Sequence, residues 1–203
     1  MQALALKPPV HLVDTANLPT EHGTFLAHAF LGQSGVEHLA LVSPGPAPRV
    51  PLVRMHSECL TGDGLGSLRC DCGPQLRESL RRLSQSPGGI LLYLRGQEGR
   101  GIGLANKMRA YALQDRGLDT VEANRALGLP DDARSYAEAA AMLQALGAHR
   151  IRLLTNNPDK VAALVRHGIA VEGAEPLVIP ANIHNAGYLS TKARKFGHTS
   201  LGG

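Results

Sequence analysis

The sequence predicts an α/β protein, with a mixed β-sheet covered by helices in a three-layer arrangement and an N-terminal β-hairpin region. From residue 51 onward, short apolar runs alternate with helical patterns, which is typical of a sheet covered by helices. Two runs of alternating apolar residues, 24–31 and 37–43, flank the turn sequence Gly-Gln-Ser-Gly-Val and predict the hairpin. The chain has 203 residues, 43% of them hydrophobic, which is enough for a substantial core.

The elements after the Pro-rich segment 43–51 follow from local patterns. Strands are predicted at 51–58, 88–95 and 151–155, and the segment 120–124 as a short extended stretch. Helices are predicted at about 73–85, from Leu104 to a stop at Gly117, from Pro130 to Gly147, and from Pro158 with Asn157 as its cap. We expect one domain over residues 1–203, with a β-rich part (1–50), a catalytic core (51–190) and a loose tail (191–203).

Composition and charge exclude several classes of protein. The formal charge is +4 and aromatic residues make up 3%, which suits a small anionic ligand and argues against nucleic-acid binding. No run approaches the ~18–20 apolar residues of a membrane span, and the N-terminus lacks the basic start of a signal peptide. The three cysteines are odd in number and lie close together, so we expect reduced thiols in the cytoplasm.

The cysteines form the first candidate site. Cys59 and Cys70 flank a loop containing Thr-Gly-Asp-Gly-Leu-Gly-Ser, and Cys72 follows two residues later. The glycines would let the loop fold back and bring the thiols together, and three thiolates with one open position are typical of a catalytic zinc site. Two alternatives stay open on spacing alone: a closed site with His56 as fourth ligand, or buried thiols without metal.

A glycine-rich segment forms the second candidate site. Residues 96–103, Gly-Gln-Glu-Gly-Arg-Gly-Ile-Gly, lie between a predicted strand and a predicted helix. A helix N-terminus favours anions, and Arg100 favours phosphate. The segment matches neither the dinucleotide-binding fingerprint nor the P-loop, and a flexible turn is the alternative interpretation.

Two further segments carry charged residues at positions suited to ligand binding. If a helix begins at Asp131 or Asp132, Arg134 would lie in its first turn and oppose the helix dipole, although pairing with Asp131 would also explain it. Thr155 and Lys160 follow the carboxyl end of a strand, a usual ligand position in α/β sheets. An ordinary helix cap and a solvated lysine would give the same pattern. Together the segments suggest a metal hydrolase acting on a phosphorylated substrate.

Five blocks of sequence, in this order and at these intervals, resemble the signature blocks of GTP cyclohydrolase II. They are RMHSECLTGDGLGSLRCDCG, GQEGRGIGLANKMRAYALQD, DTVEAN, DDARSY and RLLTNNPDK, and the similarity runs from about residue 20 to 198, including HNAGYLSTKARKFGH. The resemblance implies hydrolytic opening of the imidazole ring of GTP at C8 with release of formate and pyrophosphate. The product would be 2,5-diamino-6-ribosylamino-4(3H)-pyrimidinone 5′-phosphate, in the first step of riboflavin biosynthesis.

The resemblance also implies roles for individual residues. Cys59, Cys70 and Cys72 would hold one zinc ion with water as fourth ligand, and Mg²⁺ would bind the triphosphate. Asp132 matches a general base, Arg134 matches a proposed nucleophile on the α-phosphate, and Tyr111 matches a tyrosine near the zinc. Because a guanidinium does not normally lose its proton, electrostatic stabilisation of the phosphate by Arg134 is the alternative. The matching GTP contacts are Arg54, Met55, His56, Ser57, Glu58, Gln75, Glu98, Gly99, Arg100, Thr120, Thr155 and Lys160.

The resemblance leaves a few expectations to test. The segment before Gln97 has one residue more than in many members of the family, and Gly66 replaces a commonly larger residue. We expect a homodimer that lacks the second, fused domain of many relatives. The alternatives are a structural-zinc protein that binds guanine nucleotides or RNA without ring opening, and a paralogue that retains the formyl group.

Overall fold

One mixed β-sheet organises residues 9–185, the part of the chain that the computed structural model describes. Its seven strands lie in the order β1-β2-β3-β5-β4-β6-β7. The first three strands and β5 are antiparallel neighbours, whereas β5, β4, β6 and β7 run parallel to one another. The strands are β1 (Val10–Thr20), β2 (Gly23–Gly32), β3 (Glu37–Val42), β4 (Leu52–Ser57), β5 (Ile90–Leu94), β6 (Arg150–Leu154) and β7 (Ala170–Glu175).

Helices cover both faces of this sheet. They are α1 (Cys72–Ser84), the short α2 (Glu98–Gly101), α3 (Leu104–Gln114), α4 (Thr120–Ala126), α5 (Ala137–Ala145) and α6 (Pro158–Arg166), and a π-helical turn spans Leu60–Gly64. Along β5, Leu91 packs in a cluster with Leu83 of α1, while Leu92 packs with Leu143 of α5 and Leu164 of α6. Because successive strand residues point to opposite faces, α1 lies on one face and α5 and α6 on the other. The predicted three-layer α/β arrangement is confirmed.

The parallel strands place the chemistry at one edge of the sheet. Strand β4 is buried along most of its length, as expected for a strand covered on both faces. The segments that follow β4, β5 and β6 all leave the same edge because these strands are parallel. The cysteine loop, the glycine-rich segment and residues 155–157 are therefore neighbours, as is typical of ligand sites in α/β sheets.

The N-terminal hairpin prediction is confirmed and extended. Strands β2 and β3 pair antiparallel with Leu31 opposite Glu37, close to the predicted turn. Strand β1, which the sequence patterns did not predict, pairs with β2 and forms an edge of the sheet. It is exposed along almost its whole length, and a bulge between Leu12 and Asp14 interrupts the alternation of its apolar residues.

The prediction that residues 120–124 are extended is wrong, because they begin helix α4. The Asp119 side chain accepts hydrogen bonds from the backbone N–H groups of Val121 and Glu122, and the Glu122 side chain accepts one from the N–H of Asp119. This reciprocal arrangement is a capping box. Asp119 and Glu122, three residues apart, were the available sequence signal.

The predicted start of the long helix at Pro130 is also wrong. Helix α5 begins at Ala137, and Arg134 lies in an irregular segment before it. Arg134 is therefore not in the first turn of a helix and does not oppose a helix dipole there. The side chain of Asp132 accepts a hydrogen bond from the backbone N–H of Arg134, a turn that competes with helix formation. The N–H of Ala133 donates to the carbonyl of Arg100, which ties the segment to the glycine-rich turn.

Several expectations concern residues outside 9–185. The predicted loose tail (191–203), the last residues of the predicted core and most of the segment 184–198 lie beyond the described residues. The division of the chain into parts therefore stays a prediction. Within the described residues, no helix combines the length and apolar character needed to cross a membrane.

Candidate active site

An open cleft lies where β4, β5 and β6 end, with about 830 Å³ of empty space including the part open to solvent. It brings together most of the predicted site residues from four separate segments. The cleft is lined by Arg54, His56, Ser57, Glu58, Cys59, Cys70, Cys72, Gln75, Gln97, Gly99, Arg100, Lys107, Tyr111, Arg134, Thr155, Asn156, Asn157 and Lys160.

Four predicted site residues lie beside the cleft and are not part of its lining. Met55 is fully buried in the core, and Glu98 is buried against the cysteine loop. Thr120 lines a smaller adjoining cavity that shares Gly99, Arg100, Lys107 and Tyr111 with the cleft. Asp132 is paired with Arg134 at the rim. Their predicted roles stay predictions.

The three cysteines meet at one end of the cleft. Cys59 follows β4, Cys70 precedes α1 and Cys72 is the first residue of α1. Their sulfur atoms all lie within 4.8 Å of one another, with 3.7 Å between the Sγ atoms of Cys59 and Cys70. In the described part of the chain, no other His, Cys, Asp or Glu side chains form such a group. These three residues could hold a metal ion.

His56 does not complete this group. Its Nε2 lies 3.0 Å from both carboxylate oxygens of Asp63. Asp63 also accepts hydrogen bonds from the backbone N–H of Cys59 and from the hydroxyl of Tyr93. Burial lowers the pKa of His56 despite its bond to Asp63. The network anchors the start of the cysteine loop to β4 and β5, and His56 is not part of the three-thiol group that could hold a metal.

Gly62 allows the loop to pack directly against the thiols. A Cβ atom at this position would lie 2.7 Å from Sγ of Cys70, 3.0 Å from Cβ of Cys72 and 3.2 Å from Sγ of Cys59. Gly73 is similarly crowded, since its Cβ would lie 2.3 Å from the carbonyl oxygen of Gly62. The glycines are therefore required by close approach as well as by loop flexibility.

Replacing Gly62 with alanine is expected to weaken metal binding by about tenfold or more, because the added methyl group displaces the sulfur atoms. The measurement is Zn²⁺ titration in competition with a chelator, with circular dichroism to confirm folding. Gly64→Ala is the matched control, since its Cβ would meet only the Leu60 side chain at an ordinary 3.5 Å. Equal metal affinity of the two variants would contradict this prediction.

Lys107 is the main site residue that the sequence analysis missed. Its Nζ donates hydrogen bonds to Sγ of Cys59 (3.1 Å), to Oγ1 of Thr61 (2.7 Å) and to Oε1 of Glu98 (2.6 Å). On α3, Lys107 and Ala110 are buried whereas Leu104 and Met108 are each 40% exposed. The available signal was that Lys107 lies four residues before Tyr111 and therefore shares its helix face.

The charges around Cys59 favour its thiolate. Hydrogen bonds with Cys70 and Cys72, and then the Lys107 ammonium, hold the pKa of the Cys59 thiol well below its usual range. The hydrogen bond with Cys59 raises the pKa of Cys70. Burial lowers the pKa of Lys107, but its hydrogen bond to Glu98 and the neighbouring Tyr111 and Cys59 outweigh burial and raise it. These shifts favour a protonated lysine beside a thiolate, which is the form of cysteine that binds metal.

Arg134, which lines the cleft, forms a bidentate ion pair with Asp132. Nε of Arg134 lies 2.9 Å from Oδ1 of Asp132, and Nη2 lies 2.5 Å from Oδ2. Burial would raise the pKa of Asp132, but the hydrogen bonds and charge of Arg134 lower it overall. Asp131 instead pairs with Arg125, so the suggested Arg134–Asp131 pair does not form.

Gln97 holds the segment that carries Arg134. Its side chain accepts a hydrogen bond from the hydroxyl of Ser57 and donates one to the carbonyl of Ser135. Nη1 of Arg134 also lies 3.3 Å from the Ser57 hydroxyl. The end of β4 and the irregular segment before α5 are thus joined through one amide. Gln97 is not among the predicted site residues, and its only sequence signal is its place in the glycine-rich motif.

The glycine-rich segment turns sharply beside this pair. Gly99 and Arg100 both have left-handed backbone angles, with φ of 60° and 64°. A left-handed arginine is uncommon, and such strain concentrates at functional sites. The turn places Arg100 in the lining of the cleft.

The remaining cations make the cleft electropositive. Arg54 donates to the carbonyl of Leu154 and to the Gln75 side chain, and burial lowers its pKa to about 10. Lys160 donates to the carbonyl of Met55. Of the described residues in the lining, Arg54, Arg100, Lys107, Arg134 and Lys160 are cationic and only Glu58 is a carboxylate. This balance favours an anionic ligand.

Comparisons with known proteins identify the family of this chain. The family model described as GTP cyclohydrolase II matches residues 11–176. GTP cyclohydrolase-2 of Neisseria meningitidis serogroup C / serotype 2a is 52% identical over 187 residues, covering 92% of this chain and 94% of that protein. The riboflavin biosynthesis protein RibBA of Salinispora arenicola is 51% identical over 191 residues, covering 93% of this chain but 46% of that protein.

One solved structure is more distant. The two-domain 3,4-dihydroxy-2-butanone 4-phosphate synthase RibBX from A. baumannii is 22% identical, with a TM-score of 0.43 over 86% of this chain and 41% of that one. The family model, by contrast, spans most of the chain, and a relative of nearly equal length shares half of its residues. The chain belongs to the GTP cyclohydrolase II family.

Proposed function

We propose that this protein hydrolyses GTP, opening the imidazole ring at C8 and releasing formate and pyrophosphate, in the first step of riboflavin biosynthesis. One observation carries the proposal: a single cleft holds a three-thiol group and five cationic side chains. The thiol group suits a metal that activates water, and the cations suit a triphosphate. Family membership and the names of the relatives support the same substrate.

The thiol group fits zinc. Tetrahedral coordination with Zn–S bonds of about 2.3 Å requires sulfur atoms roughly 3.8 Å apart, and the Cys59–Cys70 distance is 3.7 Å. Zinc held by three thiolates supplies a water molecule of lowered pKa, which is a nucleophile near neutral pH. Cys59, Cys70 and Cys72 would hold the ion, and the Asp63 network would keep the Cys59 backbone in place.

The cationic side chains would hold the phosphates. Arg100 and Arg134 lie on two segments joined by the Ala133–Arg100 backbone hydrogen bond, so they can bind neighbouring phosphate groups together. Arg54 and Lys160 are buried and fixed by backbone carbonyls, which makes their charges preorganised. We expect Mg²⁺ to accompany the triphosphate and to share its charge, as in other phosphoryl-transfer sites.

Polar side chains are available for the base and the ribose both in the cleft and in the smaller adjoining cavity. Thr120 lines the smaller cavity, as does Tyr111. The guanidinium carbon of Arg69 lies over the Tyr111 ring, 4.4 Å from the centre of that ring. Both Glu98 oxygens already accept hydrogen bonds, from Lys107 and from the N–H of Leu60. Each carboxylate oxygen can accept a second bond, but Glu98 lines neither cavity, so accepting from the guanine N1–H and N2–H₂ donors would require the glycine-rich segment to move.

The decisive experiment incubates the zinc-loaded protein with GTP and Mg²⁺ and measures formate, pyrophosphate and the mass of the nucleoside product. We expect equal amounts of formate and pyrophosphate. Intact GTP with zinc fully bound would refute ring opening and favour a structural-zinc nucleotide-binding protein. A product that keeps the formyl mass would identify a paralogue that stops after ring opening. Tyr111→Phe tests whether the tyrosine acts in the ring chemistry. Unchanged formate release by this variant would show that it does not.

Two statements about the whole protein belong to the same proposal. We expect a homodimer in the cytoplasm, as inferred from the family resemblance and the reduced thiols. Sedimentation equilibrium of the full chain tests the first statement directly.

A further inference from the structure

Lys107 has a position that the proposed reaction does not by itself explain. The side chain is buried, with 7% of the residue exposed, although a lysine is seldom buried unless it is paired. An ammonium group has three donors, and all three are used, by Cys59, Thr61 and Glu98. The partners come from the loop after β4 and from the glycine-rich segment, so Lys107 joins both to α3.

The Lys107 ammonium group constrains Cys59 through two sets of contacts. Lys107 bonds to the sulfur directly at 3.1 Å. It also bonds to Glu98, whose second oxygen accepts the N–H of Leu60, the residue after Cys59, at 2.6 Å. Asp63 holds the N–H of Cys59 itself. The direction of the Cys59 sulfur is therefore set by contacts outside the three-thiol group.

A hydrogen bond to a thiolate also changes how the sulfur binds a metal. A charged donor draws electron density from the sulfur, and such partners of metal ligands tune affinity and electronic properties. Neither Cys70 nor Cys72 is bonded to Lys107 in the contacts of the described residues. The effect is concentrated on one of the three ligands.

We propose that Lys107 is a positioning residue of the metal centre, which orients Cys59 and weakens its electron donation through the N–H···S hydrogen bond. The proposal rests on the metal site of the proposed function and does not depend on ring opening. It predicts a spectroscopic effect that a lysine needed only for packing would not produce.

The test measures Zn²⁺ affinity by chelator competition, and the thiolate-to-cobalt charge-transfer band after Co²⁺ substitution, both on the full chain. We expect Lys107→Met to weaken Zn²⁺ binding by about 10- to 100-fold, because misplacing Cys59 costs more affinity than its stronger electron donation restores. The band should shift to longer wavelength, because the sulfur loses a charged donor. Lys107→Arg keeps a charged donor and should restore the band position. Arg109→Met is the matched control, since it removes an exposed cation of the same helix whose hydrogen bond is to Asn106, and it should leave the band unmoved.

A loss of Zn²⁺ affinity of less than about tenfold in Lys107→Met, or an unmoved band, overturns the proposal. If Lys107→Met does not fold because Glu98 is left as an unpaired buried carboxylate, the Lys107→Met/Glu98→Gln double variant decides by the same two criteria. A wild-type protein that binds zinc without producing formate would refute the proposed reaction and leave this inference intact. A wild-type protein that binds no zinc would refute the metal centre and this inference together.

Discussion

Replacing Cys72 with serine is expected to lower formate release by roughly a thousandfold or more, which corresponds to about 4 kcal/mol in the activation barrier. Serine is close to cysteine in size, so α1 should still begin at this residue. Its hydroxyl does not ionise near neutral pH and replaces a thiolate poorly as a zinc ligand. The two remaining sulfurs, Cys59 and Cys70, would leave the ion with too few protein ligands. Formate is measured enzymatically beside zinc content by atomic absorption.

The control for this variant is Leu68→Ser on the same loop. Leu68 is 58% exposed and does not line the cleft, so we expect unchanged zinc content and formate release. Pyrophosphate is followed in the same reactions. If Cys72→Ser keeps wild-type formate release after its zinc has been removed, the thiol group has no part in the chemistry and the proposed mechanism is wrong.

Replacing Arg134 with alanine is expected to lower kcat by about 10²- to 10³-fold, the cost of removing one preorganised donor to a developing negative charge. Arg134 is already held by both oxygens of Asp132 and by Ser57, so its guanidinium needs little rearrangement to face a phosphate. A paired guanidinium is a stabilising cation and a poor nucleophile. We therefore expect Arg134→Lys to keep measurable turnover, with kcat between those of the wild type and Arg134→Ala.

The nucleophile alternative predicts a different outcome. A guanylyl group trapped on the wild-type protein by mass spectrometry, and absent from an inactive Arg134→Lys variant, would show that Arg134 forms the covalent bond. The matched control is Arg125→Ala, because Arg125 also pairs with an aspartate, Asp131, but is largely exposed and outside the cleft. Its turnover should equal that of the wild type.

Local sequence patterns predicted much of the catalytic half of the sheet. Strands β4, β5 and β6 are short apolar runs, and α6 begins as predicted with Asn157 as cap and Pro158 as first residue. Such signals are contained within a few residues, so the sequence suffices. Predictions were wrong or missing where an element depends on residues that are distant in the sequence. The alternation of apolar residues in the edge strand β1 is interrupted by the bulge between Leu12 and Asp14. The segment 130–136 is kept out of helix α5 by the side-chain turn of Asp132 and by its bond to the glycine-rich turn.

The candidate site likewise combines residues that the sequence predicts with contacts that it does not predict. Spacing and residue type predict that Cys59, Cys70 and Cys72 form a metal site but leave His56 open as a fourth ligand, and the structure pairs its Nε2 with Asp63. The charge pattern identified Arg134 but not its partner. Lys107 is not predicted as a site residue because a lysine on an amphipathic helix is ordinarily solvated, and nothing within α3 indicates that it has a buried partner.

The sequence by itself determined the α/β class, the three thiols and the cationic residues, because each follows from the identity of the residue and its immediate neighbours. Only the tertiary structure decided which of them meet. The pairing of Lys107 with Cys59 joins residues 48 positions apart, and the contact of Arg134 with Ser57 joins residues 77 apart. Such contacts depend on the parallel order of β4, β5 and β6, which brings separate loops to one edge of the sheet.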